Sequence, residues 1–202
     1  MVFTSHIFIF YFLPITLLIY YLLPVRRNLF PLLMSYVFYG WWNPWFVFLM
    51  FIATVINYIG GHIIAQTPAG EPKRYWTLFA TVAASLSLLG FFKYFMFFQR
   101  NLNFALEFFG TSALPIYEVL LPIGISFFIF QSISYTVDVY RGDAPPVRSF
   151  QDFACFVALF PQLIAGPIVR YNTIADQLVY REHNIDKFSS GVALFILGFA
   201  KK

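Results

Sequence analysis

Three histidines, one cysteine and a short polar run in an otherwise apolar sequence are the places where chemistry could reside. Set on a helical period, Gln131, Ser134 with Tyr135, and Asp138 fall three, four and seven residues apart and share one face. Arg141 lies one turn beyond Asp138, a spacing at which a guanidinium can meet a carboxylate. A carboxylate near the end of an apolar helix is costly unless paired or wet. The face reads in two ways: a structural Asp138–Arg141 pair within a hydrogen-bonded seam between helices, or the polar lining of a substrate tunnel. His6 and His62 stand at the ends of apolar stretches, and His183 sits in the polar run Arg181-Glu182-His183-Asn184, read as a solvated loop. None has the apolar setting of a general base. Cys155, the lone cysteine, excludes an internal disulfide and reads as a small buried apolar residue. There is no metal-binding Cys/His spacing, glycine-rich phosphate loop or serine elbow. The residues themselves therefore assign no catalytic group and no metal ligand.

The elements that must position these residues are dictated by composition. Of 202 residues, 60% are hydrophobic, 22% aromatic and only 11% charged, against about 25% charged in an ordinary globular domain. Twenty-eight Phe and 13 Tyr are too many to hide in the core of so short a chain. The expected solvent is lipid. The net charge of +4 sits between apolar blocks, which points to membrane topology and not to nucleic-acid binding. The N-terminus lacks the basic segment and small-residue cleavage site of a signal peptide, so Met1 to Val25 reads as a retained transmembrane segment.

Charges punctuate the hydrophobic stretches. The first runs from His6 to Val25, with Pro14 as a kink and Arg26-Arg27 as its stop. A shorter one, Leu29 to Trp42, ends at Trp41-Trp42-Asn43-Pro44. The third covers Trp45 to Ile64, ending at Gly60-Gly61-His62, and a polar loop from Gln66 to Arg74 follows. The fourth covers Tyr75 to Phe98, with Lys93 snorkelling from its final turns. From Gln99 to Glu118, Leu102, Ala105, Leu106 and Phe109 fall at helical spacing, which predicts a surface-lying helix. The fifth stretch is Val119 to Tyr140, followed by a loop from Arg141 to Ser149. Phe153 to Val169 is interrupted by Pro161, Gly166 and Pro167, which predicts a broken or re-entrant helix buried against protein. A polar stretch, Arg170 to Lys187, precedes the apolar Ser189 to Ala200. The expected fold is an all-α integral membrane protein: a helical bundle of about five spans plus the broken helix. With the N-terminus outside, Arg26/Arg27, Lys73/Arg74 and Arg141/Arg148 all fall on the cytoplasmic side.

Five segments carry a resemblance. They are the opening Met1 to Pro14, then Phe38-Tyr-Gly-Trp-Trp-Asn-Pro44, Leu121-Pro-Ile-Gly-Ile-Ser-Phe127, Asp138-Val-Tyr-Arg-Gly142 and Phe160-Pro-Gln-Leu-Ile-Ala-Gly-Pro-Ile-Val-Arg170. In this order they resemble the membrane-bound O-acyltransferase (MBOAT) family, in its bacterial alginate O-acetyltransferase branch, with a more distant likeness to the D-alanyl transfer protein of teichoic acid synthesis. Members of the family are about twice this length and use a histidine in an apolar stretch of their second half, which nothing here matches. The resemblance implies that residues 1–202 are the N-terminal part of one such domain, an incomplete MBOAT fold without the catalytic histidine and inactive alone. It also implies a multi-pass protein of the bacterial inner membrane that moves acetyl groups from a cytoplasmic donor, acetyl-CoA or another acyl thioester, toward an extracytoplasmic alginate-like exopolysaccharide. Partner acetyltransferases on that side would complete the transfer. The tunnel-lining residues expected on this basis are Gln131, Ser134, Tyr135, Asp138, Gln162 and Arg170. A non-catalytic assembly subunit and a small transporter are the competing classes; a transporter would also carry a broken helix and an intramembrane Asp.

Overall fold

The structure, a computed structural model, describes residues 5–22, 28–41, 43–112, 114–163, 169–181 and 183–201. Arg26, Arg27, Trp42, Gly166, Pro167, Glu182, residues 1–4 and the C-terminal end of the first stretch lie outside them. The described residues are helical or irregular, with no strand. A π-helical turn, Phe8–Phe12, leads into α1 (Leu13–Leu22), followed by α2 (Leu29–Gly40), α3 (Trp45–Gln66) and α4 (Pro72–Phe108). Then come α5 (Ile125–Arg141), α6 (Phe150–Ala158), the single turn α7 (Phe160–Leu163), α8 (Tyr171–Val179) and α9 (Ile185–Ala200).

Among the described residues, α3 and α4 are the helices long and apolar enough to cross a membrane, with mean hydropathies of 1.9 and 1.6. Only 17% of the apolar window of α4 is buried, and Trp76, Phe79, Leu86 and Phe91 face outward from it. A water-soluble fold would not leave such a face bare. Composition and helices together fit a membrane protein. At its 22 residues, α3 is about 33 Å long, close to the hydrocarbon thickness. Exposed Trp41 and Trp45 mark one end of it. Exposed Tyr75 and Trp76, just across the loop, mark the other.

The prediction of a separate surface helix after Phe98 is corrected: α4 runs unbroken for 37 residues, about 55 Å. Lys93 lies about 27 Å along the axis from Tyr75, with its ammonium over the Tyr94 ring at 5.6 Å. Beyond it, Gln99 and Asn103, one turn apart, clamp the returning chain. Gln99 Nε2 donates to the Pro115 carbonyl (2.7 Å) and Asn103 Nδ2 to that of Leu114 (2.9 Å), while both amide oxygens accept backbone N–H groups from the same segment. This side-chain pairing replaces the expected packing of a second helix.

The fifth stretch also starts later than its hydrophobicity suggests. Pro122 precedes Gly124 at φ +77°, a left-handed conformation that delays the helix to Ile125. It ends at Gly142 (φ +83°), where the Asp143 N–H returns to the Asp138 carbonyl at 2.9 Å. Arg74, read from sequence as a topology signal, has a second use. Its Nη2 donates to the carbonyls of Val139 (3.2 Å) and Tyr140 (2.7 Å), placing a cation at the negative end of α5. The loops at 67–71 and 141–149 consequently share one end of the α3–α4–α5 bundle.

Packing of that bundle rests on Gly60 and Gly61, which lie inside α3 and do not end it. A Cβ on Gly60 would fall 2.2 Å from Thr81 Oγ1 of α4, and one on Gly61 2.6 Å from Tyr135 Cε1 of α5. Small residues permit this approach. One turn earlier, Asn57 Nδ2 donates to Ser85 Oγ (2.9 Å) and Asn57 Oδ1 accepts from the Thr136 hydroxyl (3.0 Å). Gly60→Ala should therefore lower the melting temperature in detergent by an amount equivalent to about 1–3 kcal/mol. Thr81→Ala in the same chain should recover part of it, and a single variant as stable as the parent would refute the close approach.

Candidate functional site

The six residues expected to line a tunnel divide three ways. Gln131, Tyr135 and Asp138 lie buried on one face of α5, with Ser134 half-buried beside them. The spacing argument held for that face. Gln131 Nε2 donates to the Phe156 carbonyl of α6 at 2.9 Å, and the Tyr135 hydroxyl accepts the Val147 N–H at 3.1 Å. The Tyr135 ring lies 4.6 Å from that of Phe153 and 5.2 Å from that of Tyr171. Burial pushes the Tyr171 phenol up to about 12, with neighbouring Tyr135 adding to the effect; it stays protonated at neutral pH. Ser134 turns its hydroxyl back to the Gln131 carbonyl (2.8 Å). Oε1 of Gln131 and Oδ2 of Asp138 are buried without a hydrogen-bond partner among the described residues.

The Asp138–Arg141 pair is not made: Asp138 faces the bundle, whereas Arg141 is exposed. The helix ends one residue later at Gly142, so Arg141 sits on the final turn, where its side chain reaches solvent. Arg170 is likewise exposed and only begins α8, with no side-chain capping bond.

Gln162 belongs to a different site, beside the turn α7, where residues from four of the five quoted segments pack together. The broken helix is present, with its break at Leu159, and Pro161 occupies the first turn of α7, where its missing N–H costs little. The Phe160 N–H is taken up by Ser35 Oγ of α2 (3.1 Å). The Phe160 ring packs against Phe8, Phe12 and Phe38 at 5.3–6.1 Å. A Cβ on Gly124 would stand 3.1 Å from the Leu163 carbonyl. Beside α7 opens a cleft of about 340 Å³ whose polar lining is Thr16, Tyr20, Gln162, Gln177 and Arg181. Thr16 Oγ1 is buried there without a partner among the described residues.

One wall of the cleft is a polar cluster that sequence reasoning missed. Arg181 donates to the Tyr20 hydroxyl (3.0 Å), Asn28 Oδ1 (2.8 Å) and the Gln177 carbonyl (3.1 Å). Asn28 in turn donates to Asp152 Oδ1 and to the Leu178 carbonyl. Ser149 caps α6 at the Asp152 N–H (3.2 Å). The presumed solvated loop is thus anchored to the first helix, and His183 Nε2 lies 3.2 Å from the Tyr20 hydroxyl. The one legible signal was Ser149-Phe-Gln-Asp152, a capping pattern at the start of α6.

His6, His62 and His183 are all exposed. His62 Nε2 accepts from Gln66 Nε2 (2.9 Å), and its ring stacks on Tyr58. Cys155 is a buried free thiol. Among the described residues no three His, Cys, Asp or Glu side chains converge to hold a metal. What the cleft can do is receive a polar group from an otherwise apolar ligand, through an amide, hydroxyls and a guanidinium.

Since Asp138 and Arg141 are apart, Asp138→Asn should leave the melting temperature in detergent unchanged or raised, because it removes a buried charge whose Oδ2 has no partner among the described residues. The double change with Arg141→Gln should equal the sum of the singles within about 0.5 kcal/mol. A double variant distinctly more stable than that sum would establish an ion pair.

No family model matches the chain, and no solved structure matches it. Named relatives do. The probable alginate O-acetylase AlgI of Azotobacter vinelandii is 48% identical across the whole chain, which covers 41% of that protein. The one from Pseudomonas aeruginosa is 47% identical, again across the whole chain and 39% of its own length. A peptidoglycan O-acetyltransferase of Helicobacter pylori is 33% identical, with 44% of it covered. The chain spans about two fifths of the length of the curated relatives it matches. Aligned along its whole length at nearly half identity, the chain is similar to bacterial proteins named as probable alginate O-acetylases.

Proposed function

We propose that this chain is part of a membrane-bound O-acyltransferase that carries acetyl groups from a cytoplasmic thioester donor, such as acetyl-CoA, toward an extracytoplasmic alginate-like polysaccharide. The observation that carries this is the end-to-end identity with alginate O-acetylases. Geometry supports a scaffold role. Residues of four of the quoted segments, Phe8 and Phe12, Phe38, Gly124 and Phe160, pack around α7, and beside that turn lies a cleft with apolar walls and a few polar groups, suited to an acyl thioester kept from bulk water. In this reading Gln162, Thr16 and Arg181 contact the donor path. Gln131, Ser134, Tyr135 and Asp138 form the seam that holds its wall, and Arg170 starts the helix that closes it. The three histidines are exposed, where a base is well hydrated and poorly placed to meet a developing oxyanion. Residues 1–202 alone therefore perform no transfer. The protein sits in the bacterial inner membrane as a multi-span bundle with its N-terminus outside, and hands acetyl groups to partner acetyltransferases.

A chimera tests this. The chain replaces the aligned two fifths of the Azotobacter relative, in cells lacking that protein, and the acetyl-ester content of secreted alginate is measured. Restored acetylation is expected. A stably inserted chimera that leaves alginate bare would point to an assembly subunit, and solute flux in liposomes to a transporter.

Orientation has its own check. The loops at Pro68 and Pro145 lie at one bundle end, and Asn103 near the other. Reporter fusions at Pro68 and Pro145 should report cytoplasm, and one at Asn103 the outside. One shared side for all three would reject the topology.

A further inference from the structure

The outward side of the α3–α4 hairpin carries a groove that the acyl-transfer reading does not use. It encloses about 570 Å³, and its floor is Gly60 with Thr81. Val55, Ile56, Ile59 and Ile63 form one wall and Ala80 with Thr77 the other; Trp76 and Lys73 close the far end. Register fixes which end that is. Asn57 pairs with Ser85 and Gly60 abuts Thr81, so the antiparallel hairpin brings Ile63 toward Lys73, at the loop. The deep end, near Val55 and Thr81, is apolar. From Lys73 to Thr81 the groove follows about 12 Å of helix axis.

Three observations converge on one occupant. The groove lies between the two helices that can cross a membrane, so its open side faces hydrocarbon. Exposed Tyr75 and Trp76 place its Lys73 end at headgroup depth. The adjacent Arg74 is committed to the α5 carbonyls, which leaves the exposed Lys73 as the cation at the mouth. Acyl chain below and anionic headgroup above is what such a shape accepts; basic pockets between membrane helices hold anionic lipid headgroups in this way. We propose that the α3–α4 groove is a binding site for an anionic phospholipid, with one acyl chain along Val55–Ile63 and the headgroup phosphate against Lys73.

The proposal depends on membrane association and is independent of acetyl transfer, so its test reads lipid alone. The full 202-residue chain is purified in detergent and offered equal phosphatidylglycerol and phosphatidylcholine, and the lipid that stays bound is counted by native mass spectrometry. Wild type should retain phosphatidylglycerol over phosphatidylcholine by about fivefold, the ratio that one lysine beside a headgroup carries. Lys73→Gln should bring that ratio to near one, and Lys93→Gln, about 30 Å away along α4, should leave it in place. Ala80→Trp fills the groove and should reduce retention of both lipids. Neither Lys73 nor Ala80 is buried, so both variants should keep the parent melting temperature. The proposal is overturned by equal retention in wild type, by a ratio as sensitive to Lys93 as to Lys73, or by an Ala80→Trp variant that binds as much lipid as the parent.

Discussion

Everything in this fold hangs on how closely α3 can approach its two neighbours. In lipid, burying a leucine from the bilayer contributes little, because the bilayer is as apolar as the core; helices associate through packing and interhelical hydrogen bonds. Gly60 and Gly61 present bare backbone to Thr81 on one side and Tyr135 on the other. Asn57, one turn away, bonds both Ser85 and Thr136. Three helices are thereby joined at a single level by one amide side chain. With α5 set, its Gln131 and Tyr135 reach out to Phe156, Val147 and Phe153, and so α6 inherits its position from the glycine pair.

From there the order passes to the cleft. Two contacts seat α7, Ser35 Oγ at its first N–H and Gly124 beneath its last carbonyl. A side chain at Gly124 would meet that carbonyl as well as an unfavourable φ. The three phenylalanines around Phe160 then couple the first helix to the same turn. A cleft wall assembled from four remote segments is thus determined by short-range sterics. The Arg181 cluster closes the other side by hydrogen bonds, each tied to a group that would otherwise be buried unpaired.

Legibility in the sequence followed the range of the interaction. Apolar run lengths located α2, α3 and the body of α4, because hydrocarbon thickness acts locally on composition. Helical spacing found the buried face of α5. The same reasoning failed where a single residue overrides the pattern: Gly124 delays α5 although Val119 to Ile123 is apolar. The periodicity of Leu102, Ala105 and Leu106 does mark helix, but as the continuation of α4 and not as a separate surface helix. Gly60-Gly61 looked like a stop and is a contact surface, since helix-breaking propensity yields to packing. Asp138 and Arg141 have the right spacing for a pair, but spacing does not say that one side chain faces the bundle while the other, in the final residue of the helix, reaches solvent. The motifs of the resemblance are a separate case. They are far apart in sequence, and four of the five contribute a residue packed around α7, so their joint meaning was open to family likeness and closed to any local rule.

The two polar sites also differ in what they can tolerate, and that separates structure from function. Around Asn57 every polar atom that bridges helices is matched, as expected where the purpose is rigidity. In the cleft, Thr16 Oγ1 is buried with no partner among the described residues, and an unsatisfied hydroxyl costs about 1–3 kcal/mol. A scaffold optimised for stability alone would place an aliphatic residue there. Gln131 Oε1 and Asp138 Oδ2 of α5 are likewise buried with no partner among the described residues, so an open hydroxyl alone does not mark a ligand site. What sets Thr16 apart is its place in the cleft lining beside Gln162 and Arg181, where a ligand's polar group would complete the bonding.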